Sequence, residues 1–285
     1  MINLREICYV RLGTRDLESA TDFATKILGL QRAGGTQEKE RYFRSDDRSH
    51  TLYYFNGDPS DQSVGFEIED PSSLDKAGGE LEQLGQPVHR GTRTECESRR
   101  VRDFIRFSDP NGTAIEVVVR PEFVGRRYFP SRDAGITGFS HIGLFTKNPV
   151  ADEIFWTNVC NARVSDRVGD LPLLRISAIH HTLALVPSQR SGIQHINHQV
   201  ESTDDIMRSF NLLERHGVPI VFGPGRHPTS SARFLYFEGP DGMVFEYSVG
   251  VSEVDEEAYR ERQFGFEPAS LCMWGARAKR GELKA

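Results

Sequence analysis

Three separated blocks of this chain occur twice at a nearly constant offset. Ser49-His-Thr-Leu-Tyr-Tyr54 resembles His180-His-Thr-Leu-Ala-Leu185, and Leu84-Gly-Gln-Pro87 matches His216-Gly-Val-Pro219. Phe104-Ile-Arg-Phe-Ser-Asp-Pro-Asn-Gly-Thr-Ala-Ile-Glu116 resembles Phe234-Leu-Tyr-Phe-Glu-Gly-Pro-Asp-Gly-Met-Val-Phe-Glu246. Each pair is about 130 residues apart, which is the mark of an internal duplication. Whatever one half folds into, the other must therefore repeat. The halves part near residues 121–136, where Arg126, Arg127 and Pro130 break the apolar pattern.

Each half divides again. The first opens with a strand over Glu6–Leu12, then a helix carrying Leu17, Ala20, Phe23, Ala24, Ile27 and Leu28 at helical spacing. Asp16 is placed to cap that helix and Gly29 to end it. Strands finish the unit near Thr51–Tyr54. A second unit runs from Ser63 through a helix over Leu74–Leu84 to a hairpin at Pro110-Asn-Gly112. The second half replays this, with strands at Phe139–Phe145 and His180–Val186 and a helix from Asn148-Pro149 to Asn158. Its fourth unit opens at Gln194–Val200 and turns at Pro240-Asp-Gly242. The expectation is an α+β fold of four βαβββ modules in two tandem domains, each a curled mixed sheet enclosing a cavity. The domains are read as residues 1–125 and 136–250. A tail, 251–285, follows. Its Glu253–Glu261 is expected to be helical and Arg277–Ala285 frayed; lid and packing filler are both open readings of the part around Trp274.

Composition narrows the function. A net charge of −6 argues against a nucleic-acid partner, which needs a basic face. No apolar run reaches the roughly 18 residues of a membrane span, and the N-terminus does not read as a signal peptide. Cys8, Cys96, Cys160 and Cys272 are scattered, so free thiols in a cytoplasmic protein are expected.

Seven of the nine histidines lie after residue 140, so the duplicated halves are chemically unequal. His141 and His195 sit on the opening strands of the third and fourth units, and Glu246 on the closing strand of the fourth. Two imidazoles and one carboxylate form a facial triad that holds a divalent metal with positions left open. The first half offers Tyr9, Val64 and Glu116 in the matching places, so the fold itself does not require the histidines. Spacing alone leaves the metal triad and ordinary packing both open. His181, Tyr236 and His227 supply two imidazoles and a phenol suited to proton handling nearby. His180 and His198 are expected to serve as supporting or structural groups.

These residues closely resemble the type I extradiol ring-cleavage dioxygenases of the vicinal oxygen chelate superfamily. The matching positions are His141 in Ser-His-Ile-Gly, His181 in His-His-Thr-Leu-Ala-Leu, His195 in Gln-His-Ile-Asn-His, His227 after Gly-Pro-Gly-Arg, Tyr236, and Glu246 in Phe-Glu-Tyr. The resemblance covers essentially the whole chain. It implies the vicinal oxygen chelate fold and a metal-free first domain. It implies Fe(II) held by His141, His195 and Glu246, and leaves Mn(II) open as the alternative ion. It implies O2 as co-substrate, a catechol as substrate, and a homo-oligomer. His181 would act as base and then acid, while Tyr236 and His227 would hydrogen-bond the bound oxygen. Relatives that take acidic catechols tend to carry arginine where this chain has Phe222, so an apolar ring substituent is expected. Leu174, Ile176 and Trp274 are the further candidates for lining the substrate pocket, with core packing the favoured reading of the first two.

Three other readings compete. A glyoxalase-like isomerase typically uses four protein ligands, and it would leave His181, Tyr236 and His227 unexplained. A 4-hydroxyphenylpyruvate-type dioxygenase shares the triad without the Tyr236 and His227 pair. A metal-free, drug-sequestering binding protein needs neither His141 nor His195 to face the cavity.

Overall fold

A computed structural model describes residues 1–34 and 39–284. The first half builds β1 (Glu6–Thr14), α1 (Leu17–Asp22), β2 (Gln31–Ala33), β3 (Glu40–Arg44) and β4 (Leu52–Asn56). It continues with β5 (Gln62–Glu67), α2 (Pro71–Gln83), β6 (His89–Arg90), α3 (Arg93–Arg99), β7 (Val101–Ser108) and β8 (Ala114–Pro121). Asp16 accepts from the Ser19 amide to start α1, which runs on as a wider π-type turn over Phe23–Ile27. Asp70 and Pro71 start α2 three residues before the expected Leu74. Short α3, which the apolar pattern did not announce, owes its start to a reciprocal capping box between Thr92 and Glu95.

The second half gives β9 (Ile136–Thr146), α4 (Pro149–Asn158), β10 (Arg163–Val168), β11 (Leu171–Arg175) and β12 (Leu183–Pro187). Then come β13 (Ile193–Val200), α5 (Thr203–Arg215), β14 (Ile220–Arg226), β15 (Arg233–Glu238) and β16 (Val244–Val249). Asn148 caps α4 as expected, and a Ser202–Asp205 capping box starts α5. His180 and His181 lie in the turn before β12, rather than on the strand itself.

Each half is one curled mixed sheet. The orders are β2-β3-β4-β1-β5-β8-β7-β6 and β14-β15-β16-β13-β9-β12-β11-β10, the second extended by β17 (Arg262–Phe264) from the tail. Within every unit the first strand runs parallel to the last, as β1 with β4 and β9 with β12. The two units of a half meet through antiparallel first strands, β1 with β5 and β9 with β13. Helices pack against each sheet, and its central strands β1 and β9 are buried along most of their length on both faces. Two tandem domains of four βαβββ units are therefore the architecture. Among the described residues no helix is long and apolar enough to cross a membrane.

The tail departs from expectation. Residues 253–261 hold a single turn at 256–258, not a helix; Asp255 accepts from the Glu257 and Ala258 amides at Oδ1 and from the Tyr259 amide at its carbonyl. After β17 comes the short α6 (Pro268–Leu271). The final segment, expected to be frayed, packs down: Lys279 N–H donates to Val221 O, Glu282 accepts from Ser188, and Ala278 is buried.

Candidate metal centre

β9, β13 and β16 lie side by side, with β13 between the other two. That adjacency aims one side chain from each into the concave face. His141 Nε2 is 3.1 Å from His195 Nε2 and 2.9 Å from Glu246 Oε2, and His195 Nε2 is 3.5 Å from the same oxygen. All three side chains are buried. Donors at right angles around one ion at about 2.1 Å stand about 3.0 Å apart, so this triangle matches one face of an octahedron.

The donor chemistry fits a cation as well. Glu246 Oε2 is buried with no hydrogen-bond partner among the described residues. A carboxylate left this way is costly unless a cation meets it. Burial would raise the Glu246 carboxyl, yet the charge of His141 beside it, with His227 and His195, holds it well below the usual carboxylate range. Burial pushes His195 down to about 3, over the opposing pull of Glu246. The site therefore presents an ionised carboxylate beside a neutral His195. Gln194, which the sequence reading passed over, fixes that ring by accepting a short hydrogen bond from His195 Nδ1. Gly143 is required opposite: a Cβ there would lie 2.2 Å from His195 Nδ1.

Three further groups face the same space. The His181 ring centroid is 4.3 Å from that of His141. Burial, then His141 and His180, push the His181 pKa well below its ordinary value. His227 Nδ1 lies 2.8 Å from Leu271 O and must donate to it, which leaves Nε2 to accept from Tyr236 O–H at 3.3 Å in the neutral ring. Burial and then Glu246 raise Tyr236 far above a normal phenol, so it stays a donor. The loop that carries His227 depends on Gly223 at φ +97°, where an added Cβ would meet Phe234 O at 2.9 Å.

About 500 Å³ of empty space adjoins these groups, walled by Val168, Leu171, Leu173, Ala184, Val186, Leu271 and Leu283. Leu174 and Ile176 are not among them. They have the opposite strand parity and lie in the main core. Phe222 is buried behind the site, its ring stacked on Tyr236 with centroids 5.9 Å apart and tilted against Phe234 at 4.6 Å. Trp274 is 54% exposed and does not line the cavity; Ser270, Leu271 and Leu283 of the tail do. His198 is buried on the far face, with its ring centroid 6.0 Å from Phe139 and 6.5 Å from Phe245. His180, expected as a supporting or structural group, lies with its Nδ1 3.1 Å from His181 Nδ1.

The first domain shows what the same frame becomes without the site. Strand register pairs Tyr9 with His141, His50 with His181 and Glu116 with Glu246. It places Ser63, not Val64, opposite His195, because Arg11 faces Ser63 as Gly143 faces His195. Tyr42 and Tyr53 occupy the places of Leu173 and Ala184 and fill the cavity. Arg99, from α3, meets Glu116 through Nε at 2.9 Å and Nη2 at 2.7 Å, and Tyr9 O–H donates to Glu116 at 2.6 Å. A fixed guanidinium thus neutralises this carboxylate.

Curated relatives align along nearly the full length. An iron-dependent extradiol dioxygenase of Rhodococcus jostii is 26% identical, over 96% of this chain and 97% of its own. A biphenyl-2,3-diol 1,2-dioxygenase of Paraburkholderia xenovorans is 27% identical, over 100% and 99%. The Mn(II)-bound glyoxalase structure from Novosphingobium aromaticivorans superposes with a TM-score of 0.86 at 26% identity, covering 96% of this chain and 92% of that one. The sequence profile of one superfamily matches twice, over residues 6–117 and 138–247, once on each curled sheet. By both matches, and by the doubled fold that carries them, the chain belongs to the Glyoxalase/Bleomycin resistance protein/Dioxygenase superfamily.

Proposed function

We infer that the chain is an extradiol ring-cleaving dioxygenase, inserting both atoms of O2 into a catechol. The observation that carries this is the grouping of His181, Tyr236 and His227 around the His141, His195 and Glu246 triangle. Metal binding alone needs the triangle; proton handling beside it needs the other three. Curated relatives named as extradiol dioxygenases support the reading.

His141, His195 and Glu246 would hold one Fe(II), with Mn(II) the substitute. Bound there, the ion would gather the diol and O2 and lower the pKa of the ring hydroxyls. His181, neutral and facing the cavity, takes a proton from the diol and returns one later in the cycle. Tyr236 O–H and His227 stabilise negative charge as it develops on oxygen. The wall from Val168 to Leu283 is mainly apolar, with Thr229, Ser230 and Ser270 beside it, and offers no Lys, Arg, Asp or Glu partner, so it favours an apolar ring substituent, alkyl or aryl. On this reading the domain of residues 136–250 carries the metal, and the domain of residues 1–125 is a scaffold. Four buried free cysteines agree with a cytoplasmic enzyme. The homo-oligomer is read from the resemblance alone.

A metal-dependent isomerase is the second reading, favoured by the Mn(II)-bound glyoxalase relative. One experiment separates the two. Anaerobically prepared protein is reconstituted with Fe(II) and given a panel of alkyl- and aryl-substituted catechols. We expect one iron per chain, O2 uptake and yellow ring-fission products. Iron retained without O2 uptake on any catechol would reject the dioxygenase.

A further inference from the structure

Behind His181, away from the candidate ligands, runs a file of buried polar groups. It starts at Asp166, on β10, where the register with β11 slips between Val164 and Asp166. This bulge turns the carboxylate inward, and it is fully buried. Five donors surround it: His180 Nε2 at 2.8 Å, Tyr259 O–H at 3.0 Å, and Arg262 through its amide at 3.0 Å, Nε at 3.0 Å and Nη2 at 2.6 Å. Burial would raise this carboxyl, but the bonds from His180 and Arg262 outweigh it and hold it below its usual range.

An ionised carboxylate only accepts, so His180 Nε2 carries a hydrogen. A neutral imidazole protonated there has a bare Nδ1. His180 Nδ1 lies 3.1 Å from His181 Nδ1, a distance that places one hydrogen between the two nitrogens. With His180 neutral, His181 Nδ1 is the donor, and His181 Nε2 is left bare on a ring that lines the cavity. A cationic His180 would donate instead and leave the hydrogen of His181 on Nε2, the opposite tautomer.

The first domain is an internal control. It keeps the last histidine, as His50, but has Ala33 at the place of Asp166 and Ser49 at that of His180. The fold therefore stands without the file, and only the half with the metal triangle has it.

We propose that Asp166 and His180 are positioning residues that lock His181 in the tautomer presenting a bare Nε2 to bound substrate. This rests on the proton-accepting role of His181 in the dioxygenase reading. The anchor lies in the tail: Tyr259 and Arg262 hold Asp166, so the segment after β16 sets the tautomer of a group across the sheet.

The test reads the tautomer directly. In protein carrying 15N-labelled histidine and loaded with diamagnetic Zn(II), His181 shows a protonated Nδ1 and an unprotonated Nε2. His180→Phe removes the acceptor; the Nδ1–H form is lost and kcat falls by about 10- to 100-fold with KM within about twofold. His180→Asn, whose Oδ1 stands near the lost Nδ1, restores both. A wild-type His181 protonated on Nε2 overturns the proposal, and so does an unchanged tautomer in His180→Phe whatever happens to kcat. The wild-type spectrum decides even if His180→Phe does not fold. A wild type inactive on every catechol would sink the dioxygenase reading while leaving that spectrum as it is.

Discussion

Glu116 and Glu246 are the same residue of a duplicated hairpin, yet they meet opposite fates. Glu246 is left with a bare oxygen toward His141 and His195. Glu116 is clamped by the Arg99 guanidinium, with the Arg99 and Glu116 side chains 5% and 0% exposed. Both solutions place positive charge on a buried carboxylate, and removing it from either strands an anion. Arg99→Met is therefore expected to destabilise the protein by about 3–5 kcal/mol, whereas pairing it with Glu116→Leu recovers most of that loss. Urea denaturation of the two variants checks this; equal losses would mean that the ion pair is not what Arg99 contributes. The sequence comparison exposed the glutamates and the missing histidines. It did not expose Arg99, which comes from a helix with no partner in the second half and so lies outside any aligned block.

At the scale of elements, what could be read followed local chemistry. Caps at Asp16 and Asn148, the duplicated hairpins and the opening strands all announce themselves by short-range pattern. What could not be read depended on strand parity across irregularities. Leu174 and Ile176 stood open between cavity and core, and the core holds them; the cavity face belongs to Leu171 and Leu173, which alternate with Leu174 along β11. Val64 likewise stood one residue away from Ser63, a slip that only strand pairing corrects, since Arg11 faces Ser63 as Gly143 faces His195. The tail was the least legible part, because its order comes from distant partners such as Asp166 and Val221. It nonetheless walls the cavity through Leu271 and Leu283. Leu283→Ala should open that wall and shift kcat/KM toward bulkier ring substituents, by roughly 10-fold for an aryl over a methyl group. Comparison of 3-phenyl- and 3-methylcatechol reads the ratio, and an unchanged ratio would remove the tail from substrate selection.

In the whole molecule the two domains hold each other by exchanging hairpin tips. Asn111 of the first tip donates to Phe145 O at 2.7 Å and to Arg190 O at 3.1 Å, while its Oδ1 accepts from the Lys147 amide. Asp241 of the second tip accepts from Thr14 Oγ1 at 2.7 Å. Asp109 shapes the first tip by accepting from the Asn111 and Thr113 amides at Oδ1, but its Oδ2 is buried with no partner among the described residues. Burial, with Asp152 adding repulsion, pushes this carboxyl up to about 7 against the pull of the two amide bonds. An unfolded aspartate ionises near 3.9. Between about pH 4 and 7 the folded chain keeps a proton that the unfolded chain has released, so stability falls as pH rises through that window. The contribution is fully present below pH 4 and gone above 7, a swing of up to about 4 kcal/mol. Asp109→Asn keeps the Oδ1 acceptor and removes the titration. Its stability relative to wild type should therefore increase from pH 5 to pH 8, with other titrating groups cancelling in the difference. Urea midpoints of both proteins at the two pH values measure this, and parallel pH profiles would show that Asp109 is ionised throughout and that the interface carries the charge at no cost in this range.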